Sequence, residues 1–311
     1  MVEGQEGVTW EHWVALARAC DEAGLDGLFR SDHYTSGADE PGALDAWATL
    51  SALAAVTERI RLGTLVSPVT FRHPSVLAKS VVTADHVSSG RVELGLGAGW
   101  MESEHRAYGF SFPELSERLE LLAEQTEIVH RLLTDGSGAV DFAGSHYRLE
   151  GARGLPKPVQ RPRPPLIVGG SARAGTLRPA VRFADEYNTY GVGVDECRRR
   201  RVRVREACER AGRDPDSLPF SLMTGCVVGA DEADLRERAR RVAAKVGWDG
   251  EPEAFLAQVR ETWLVGTATQ VVERLGELAA VGVERVFLQH WEHDDPDPVR
   301  LVGAEIVPAV A

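Results

Sequence analysis

Residues 60–109 read IRLGTLVSPVTFRHPSVLAKSVVTADHVSSGRVELGLGAGWMESEHRAYG. The run 60–66 is an apolar strand, broken by Ser67-Pro68. Pro74 then opens a helix, a position where its fixed φ and missing N–H cost nothing. Leu77, Val81, Ala84 and Val87 recur on one face of that helix at the 3–4 spacing of a buried stripe. A Ser-Ser-Gly-Arg turn at 88–91 leads into a second apolar strand, 92–96, which ends in Gly97-Ala98-Gly99. Strand, crossover helix and strand make one βαβ unit. Near-continuous apolar strands of this kind belong to a parallel sheet covered on both faces.

The alternation continues in both directions. Upstream, helix 10–23 carries Trp13, Leu16, Ala17 and Cys20 on one face, Gly24 caps it, and Gly27-Leu28-Phe29 is a short strand before helix 45–57. Downstream come a helix over 114–133 and strands near 166–168, 186–190, 220–228 and 284–289. Helices fall near 174–184, 196–211, 231–246, 253–263 and 269–281. With a stub at Met1-Val2-Glu3 the count is eight strands, which closes a (β/α)8 TIM barrel over one domain, 1–311. Three residues are short for a strand, so either the natural start lies upstream or the barrel has a clipped first strand. Residues 138–165 interrupt the pattern. They read as a hairpin, Val140/Phe142 facing Tyr147/Leu149 across Gly144-Ser145, and then a Pro-rich connection. This is an insertion before strand five, a lid or a dimer arm.

A net charge of −12 argues against nucleic acid and anionic membranes as partners. No run of 18 apolar residues is present, so no membrane span is expected. The start MVEGQEGVTW lacks the pattern of a signal peptide. Cys20, Cys197, Cys208 and Cys226 are scattered without a C-x-x-C pair, as expected of reduced thiols in a cytoplasmic protein.

In such a barrel the active site lies at the C-terminal strand ends. Asp32-His33 follow the second strand; a His there can move a proton near working pH, with Asp32 fixing its tautomer or capping the next segment. Leu65-Val66-Ser67-Pro68 end the third strand. Gly97-Ala98-Gly99 end the fourth, where small residues let a ring or phosphate approach the backbone; with no acidic residue in the right place this is not a dinucleotide fingerprint. Glu102, Glu104 and His105 read as charges at a helix start. Gly169-Gly170-Ser171, with Thr176, follow the fifth strand and open a helix whose free N–H groups attract phosphate. His290 points into the mouth if Val286, Leu288 and His290 share the inner face; with Trp100 it is a candidate substrate-pocket residue. His293-Asp294-Asp295 is a helix cap, its adjacent residues lacking ligand spacing, and no metal is expected.

These blocks, Ser31-Asp32-His33, the 60–109 unit, LPKPVQRPRPPLIVGG at 155–170 and Val265-Gly266-Thr267 with its helix, resemble the luciferase-like monooxygenase superfamily, in the branch that uses the deazaflavin coenzyme F420. The resemblance implies an oxidoreductase moving a hydride to or from a small organic substrate. It implies catalysis by His33 and Asp32, and a non-proline cis bond at Leu65–Val66 supporting the back of the ring. It places Ser67, Gly97, Ala98 and Gly99 around the cofactor, and its phosphate on Gly169, Gly170, Ser171 and Thr176. Acidic or basic residues that some relatives carry at positions 98 and 100 are Ala98 and Trp100 here, so those roles do not transfer. The family also implies a homodimer, with helices 45–57 and 74–87 as candidate contacts. Its alternative chemistry is an FMNH2-dependent monooxygenase using O2, with FMN supplied by a separate flavin reductase; a reading of another class is a non-catalytic flavin-binding subunit. Insertion 138–165 and loop 34–43 are expected to shape the substrate site.

Overall fold

The computed structural model describes residues 1–37, 42–134, 136 and 138–310. Positions 38–41 of the expected substrate loop lie outside the described residues. The strands are β1 (Gly27–Arg30), β2 (Arg61–Pro68), β3 (Val92–Gly97), β4 (Val140–Ala143), β5 (Arg148–Ala152), β6 (Leu166–Gly169), β7 (Glu186–Tyr190), β8 (Phe220–Gly229), β9 (Leu264–Thr267) and β10 (Arg285–Gln289). Seven of them pair in parallel in the order β1-β2-β3-β6-β7-β8-β10.

The N-terminal stub joins the two ends of that row. Val2 N donates to Phe29 O at 2.9 Å and Val2 O accepts from Ser31 N at 3.1 Å. On the other side the Met1 amino group donates to Leu288 O, and His290 N donates to Met1 O at 2.9 Å. Stub and seven strands thus form the expected (β/α)8 barrel. The stub fills only the upper part of its place. Below Met1, an apolar cavity of about 590 Å³ lies between β1, β10, the helix Ala268–Ala280 and the C-terminal helical residues 297–310.

Inside, Phe29, Leu65, Ile167 and Phe287 pack with Met1. Glycine makes room for them: a Cβ on Gly63 would lie 2.4 Å from the Phe29 ring. The lower end is plugged by Arg285, which bonds Glu93 at 2.8 Å and Glu186 at 3.2 Å, and by Arg61 on Glu93. Two buried carboxylates against two guanidiniums leave little uncompensated charge.

The outer helices follow their sequence signals. Thr9 caps helix Trp10–Glu22, and Gly24 beyond its end takes φ +79°, a conformation glycine adopts freely. Pro74 starts helix Pro74–Val87, which buries Leu77, Val81 and Ala84. Val87, expected on that stripe, is exposed.

Two features depart from the expected pattern. The hairpin β4–β5 forms, and Phe142 faces Leu149, but Val140 pairs with Ala152 because the register shifts between them. Helices Glu232–Lys245 and Pro252–Val259 form a second excursion rather than a regular repeat. It returns through β9, which pairs with the outer half of β8, from Cys226↔Leu264 to Gly229↔Thr267.

Candidate active site

The C-terminal strand ends converge on a mouth whose floor is Val66. β2 bulges between Thr64 and Ser67, and the Leu65–Val66 peptide is cis, as the resemblance implied. Neighbouring strands give way to the Val66 side chain. A Cβ on Gly97 would lie 2.4 Å from Val66 Cγ2, one on Gly169 2.9 Å from Cγ1, and one on Gly95 3.0 Å from Cγ1. Real Cβ contacts as short as the first two essentially do not occur, so Gly97 and Gly169 make room for Val66. Gly99 has φ +78° and turns the chain away above Pro68 and Thr70.

His33 stands on the rim. Its Nδ1 lies 2.8 Å from Glu104 Oε2, with side-chain exposures of 14% and 0%. Glu104 also accepts from the amides of Tyr34 and, at 3.2 Å, Thr35. Burial alone would lower the His33 pKa, but the hydrogen bond and charge of Glu104 outweigh it and hold the imidazole above its ordinary 6.5. Burial alone would raise Glu104; His33 and the two amides outweigh that and hold the carboxyl low. Each group thus favours the charged form of the other. His33 Nε2 makes no hydrogen bond among the described residues. Trp100, 70% exposed, stands edge-on to the His33 ring at 5.6 Å.

Several expected roles change. Glu104 does lie in the first turn of helix Glu102–Tyr108, as expected, but it is also the partner of His33. No local signal marks it, because 71 residues separate the two. His105 is buried as well: its Nδ1 donates to Met101 O at 2.7 Å and its Nε2 pairs with Thr70 Oγ1. Among the described residues Asp32 makes no hydrogen bond to His33. It is 1% exposed and accepts from Arg72 Nη1 and Ser67 Oγ, both at 2.6 Å. Trp47 Nε1 in turn donates to Ser67 at 3.1 Å, so Ser67 serves this buried network rather than the mouth. Arg72 bridges Asp32 and Asp45.

His290 is also displaced. Phe287 joins the interior, so Gln289 faces inward, while Val286, Leu288 and His290 lie on the outer side of β10. His290 Nε2 meets Asp295 O at 3.0 Å, and burial pushes its imidazole down to about 4. Gln289 instead reaches the mouth, donating to Glu3 at 2.6 Å. His293 is buried, while Asp294 pairs with Lys245 and Asp295 faces Arg238 and Arg241.

At β6 the expected phosphate site forms a turn. Gly170 carries no side chain because a Cβ there would lie 2.8 Å from both Thr176 and the Tyr187 hydroxyl. That hydroxyl accepts from Ala172 N at 2.8 Å and bonds Thr176 Oγ1 at 2.7 Å. Gly170 and Thr176 therefore build the turn. Helix Ala174–Phe183 begins behind it with Arg173 at its N-cap and no side-chain cap. Its first amides remain available to an anion, with Ser171 and Arg173 beside them.

The strand ends of this (β/α)8 barrel thus carry a bulged floor, a bare glycine surround and an uncapped helix start. A family model for luciferase-like monooxygenases matches residues 2–285, and the chain belongs to that family. An FMNH2-dependent dimethylsulfone monooxygenase of Pseudomonas putida is 25% identical, over 95% of this chain and 86% of its own. Monooxygenase RslO1 from Streptomyces bottropensis superposes with TM-score 0.80 at 23% identity, covering 99% of this chain and 96% of that one. The coenzyme F420-dependent tetrahydromethanopterin reductase of Methanopyrus kandleri gives TM-score 0.80 at 18% identity, covering 99% and 97%. The chain is thus an oxidoreductase of the luciferase-like family, whose members use flavin or F420.

Proposed function

We propose that this protein moves a hydride between coenzyme F420 and a small organic substrate. The ring would rest on Val66, with Leu65 beneath and Gly97, Ala98 and Gly99 beside it. Its phosphate would lie over Ser171, Arg173 and the first amides of helix Ala174–Phe183, next to Gly169 and Gly170. When bound, the cofactor supplies the two-electron chemistry. The barrel orients both partners and excludes water.

The His33–Glu104 pair carries the reading. Glu104 favours the protonated imidazole, and Nε2 is left to donate a hydrogen bond or proton to a substrate oxygen. In the reverse direction the same nitrogen accepts it. A non-catalytic subunit would have no use for a buried carboxylate that charges a rim histidine.

A second reading is an FMNH2-dependent monooxygenase supplied by a separate flavin reductase. It is favoured by the Pseudomonas putida relative, which covers nearly the whole chain. Fluorescence titration of the protein with F420, FMN and FMNH2 separates the two. Tighter binding of F420 by tenfold or more supports hydride transfer; the reverse order supports the monooxygenase. In either case His33→Ala should lower single-turnover transfer by about 10²–10⁴-fold and leave cofactor affinity nearly unchanged. A normal transfer rate would remove His33 from the mechanism.

We also place the whole chain in one domain, as a cytoplasmic homodimer. Val76 and Val87 on helix Pro74–Val87 and Val56 nearby are exposed, which supports pairing through this side. A monomeric mass by light scattering would contradict it. Among the described residues no helix is long and apolar enough to cross a membrane.

A further inference from the structure

Two tryptophans stand at different places around the strand ends. Gly225 of β8 lies in register with the inward Gln289 of β10. A Cβ on Gly225 would fall 2.0 Å from the Trp263 ring. The indole therefore occupies the place of an inward side chain at the top of β8. Trp263 comes from the second excursion, just before β9. It stacks on Trp291, beyond the end of β10, with ring planes 4° apart and centroids at 6.0 Å, and Phe255 closes its edge at 5.7 Å. Two loops thus brace one rigid indole, which stays partly exposed. Trp100 follows β3, the fourth position in the barrel when the stub is the first, and β10 is the eighth. Trp263 over β8, the seventh position, and Trp100 after β3, the fourth, thus stand on different sides of the mouth, with His33 after the second position.

Three arginines near the mouth are held by protein partners. Arg30 holds the carbonyls of Ser31 and Leu44, Arg72 holds Asp32 and Asp45, and Arg200 holds Thr189 and Glu196. An anionic substrate would find no free counter-charge among these groups, and Glu3 at the mouth would repel it.

Resting on the proposed function, we propose that the substrate is a neutral molecule with a flat, aromatic body held against Trp263 and Trp100, carrying one oxygen that accepts a hydrogen bond from His33. Aromatic pairs favour flat, apolar partners beyond what buried area alone supplies, and an uncharged body avoids burying an unpaired charge.

The test is calorimetric binding of three probes to the cofactor-loaded protein: 2-acetylnaphthalene, 2-octanone and 2-naphthoate. 2-Acetylnaphthalene should bind at least tenfold more tightly than the other two. Trp263→Ala should cost it at least tenfold in affinity, and Trp263→Phe less than threefold. Should Trp263→Ala fail to fold, Trp100→Ala carries the same test, because that side chain is 70% exposed. Equal binding of 2-octanone, preference for the naphthoate, or indifference to both tryptophan substitutions overturns the assignment. His33→Ala is the separate arm. Normal turnover there with aromatic binding intact defeats the proposed catalytic role and leaves the substrate class standing.

Discussion

His33 Nδ1 and Glu104 Oε2 meet at 2.8 Å although β1 and the short helix Glu102–Tyr108 are separated by two barrel strands. The contact raises the pKa of a rim histidine by giving its protonated form a buried partner. It also sets a pH signature. His33 has a raised pKa in the fold, so its pairing stabilises the protein fully below the ordinary 6.5 and is lost as pH rises through the raised value. Glu104 has a lowered pKa, so its share is present above the ordinary 4.5 and is lost as pH falls through the lowered value.

Glu104→Gln should therefore shift activity rather than abolish it. Reduction of substrate by protonated His33 should decline in the wild type as pH rises through the raised pKa of its imidazole. In the variant the decline should begin at lower pH, because burial then acts on the imidazole without the opposing carboxylate. A pH–rate profile that does not move would show that Glu104 only packs the helix.

Asp32→Asn should act on stability. The carboxylate lies buried against Arg72 and Ser67, and neutralising it leaves Arg72 with Asp45 alone. Breaking a buried pair costs about 3 kcal/mol or more. Urea denaturation should show that loss, while transfer per folded molecule stays near normal. A large drop in turnover with unchanged stability would restore the catalytic role expected from sequence.

Arg173→Asp should move stability and cofactor affinity in opposite directions. Asp is a favoured N-cap and Arg173 now leaves helix Ala174–Phe183 uncapped, so stability should rise by about 1 kcal/mol. The same carboxylate would sit beside the proposed phosphate, and affinity should fall at least tenfold, about 1.4 kcal/mol. Gly170→Asp would be a poorer probe, since its side chain would strike Tyr187 and Thr176. If affinity is unchanged while the helix is stabilised, the phosphate binds elsewhere.

Gly97→Ala should push Val66 from the floor, because its Cβ would sit 2.4 Å from Val66 Cγ2. Overpacking of this kind costs about 1–3 kcal/mol. Combining it with Val66→Ala should recover much of that loss. A double-mutant cycle with a coupling energy near zero would mean that the two side chains are independent.

Much of this architecture was legible along the chain. Buried parallel strands announce themselves as local apolar runs, and helices by their periodicity, by Pro74 and by Gly24. The 60–109 unit, the strand-five turn and the barrel itself follow from such local signals. The bulge with its cis bond came through resemblance, and the structure supplied its reason, the packing of Val66 among three glycines. The partner of His33 could not be read in the same way. Asp32 and Glu104 are both carboxylates near turns, and nothing within a few residues distinguishes them. The barrel decides, because curvature and register send Asp32 behind the wall to Arg72 and bring Glu104 under the rim. His290 was lost for a related reason: a strand alternates faces every residue, and only the packing of Phe287 fixed which face was inside. Trp263 lies over Gly225 because β9 docks on the outer half of β8. That position depends on a pairing between distant segments, and local propensity carries no record of it.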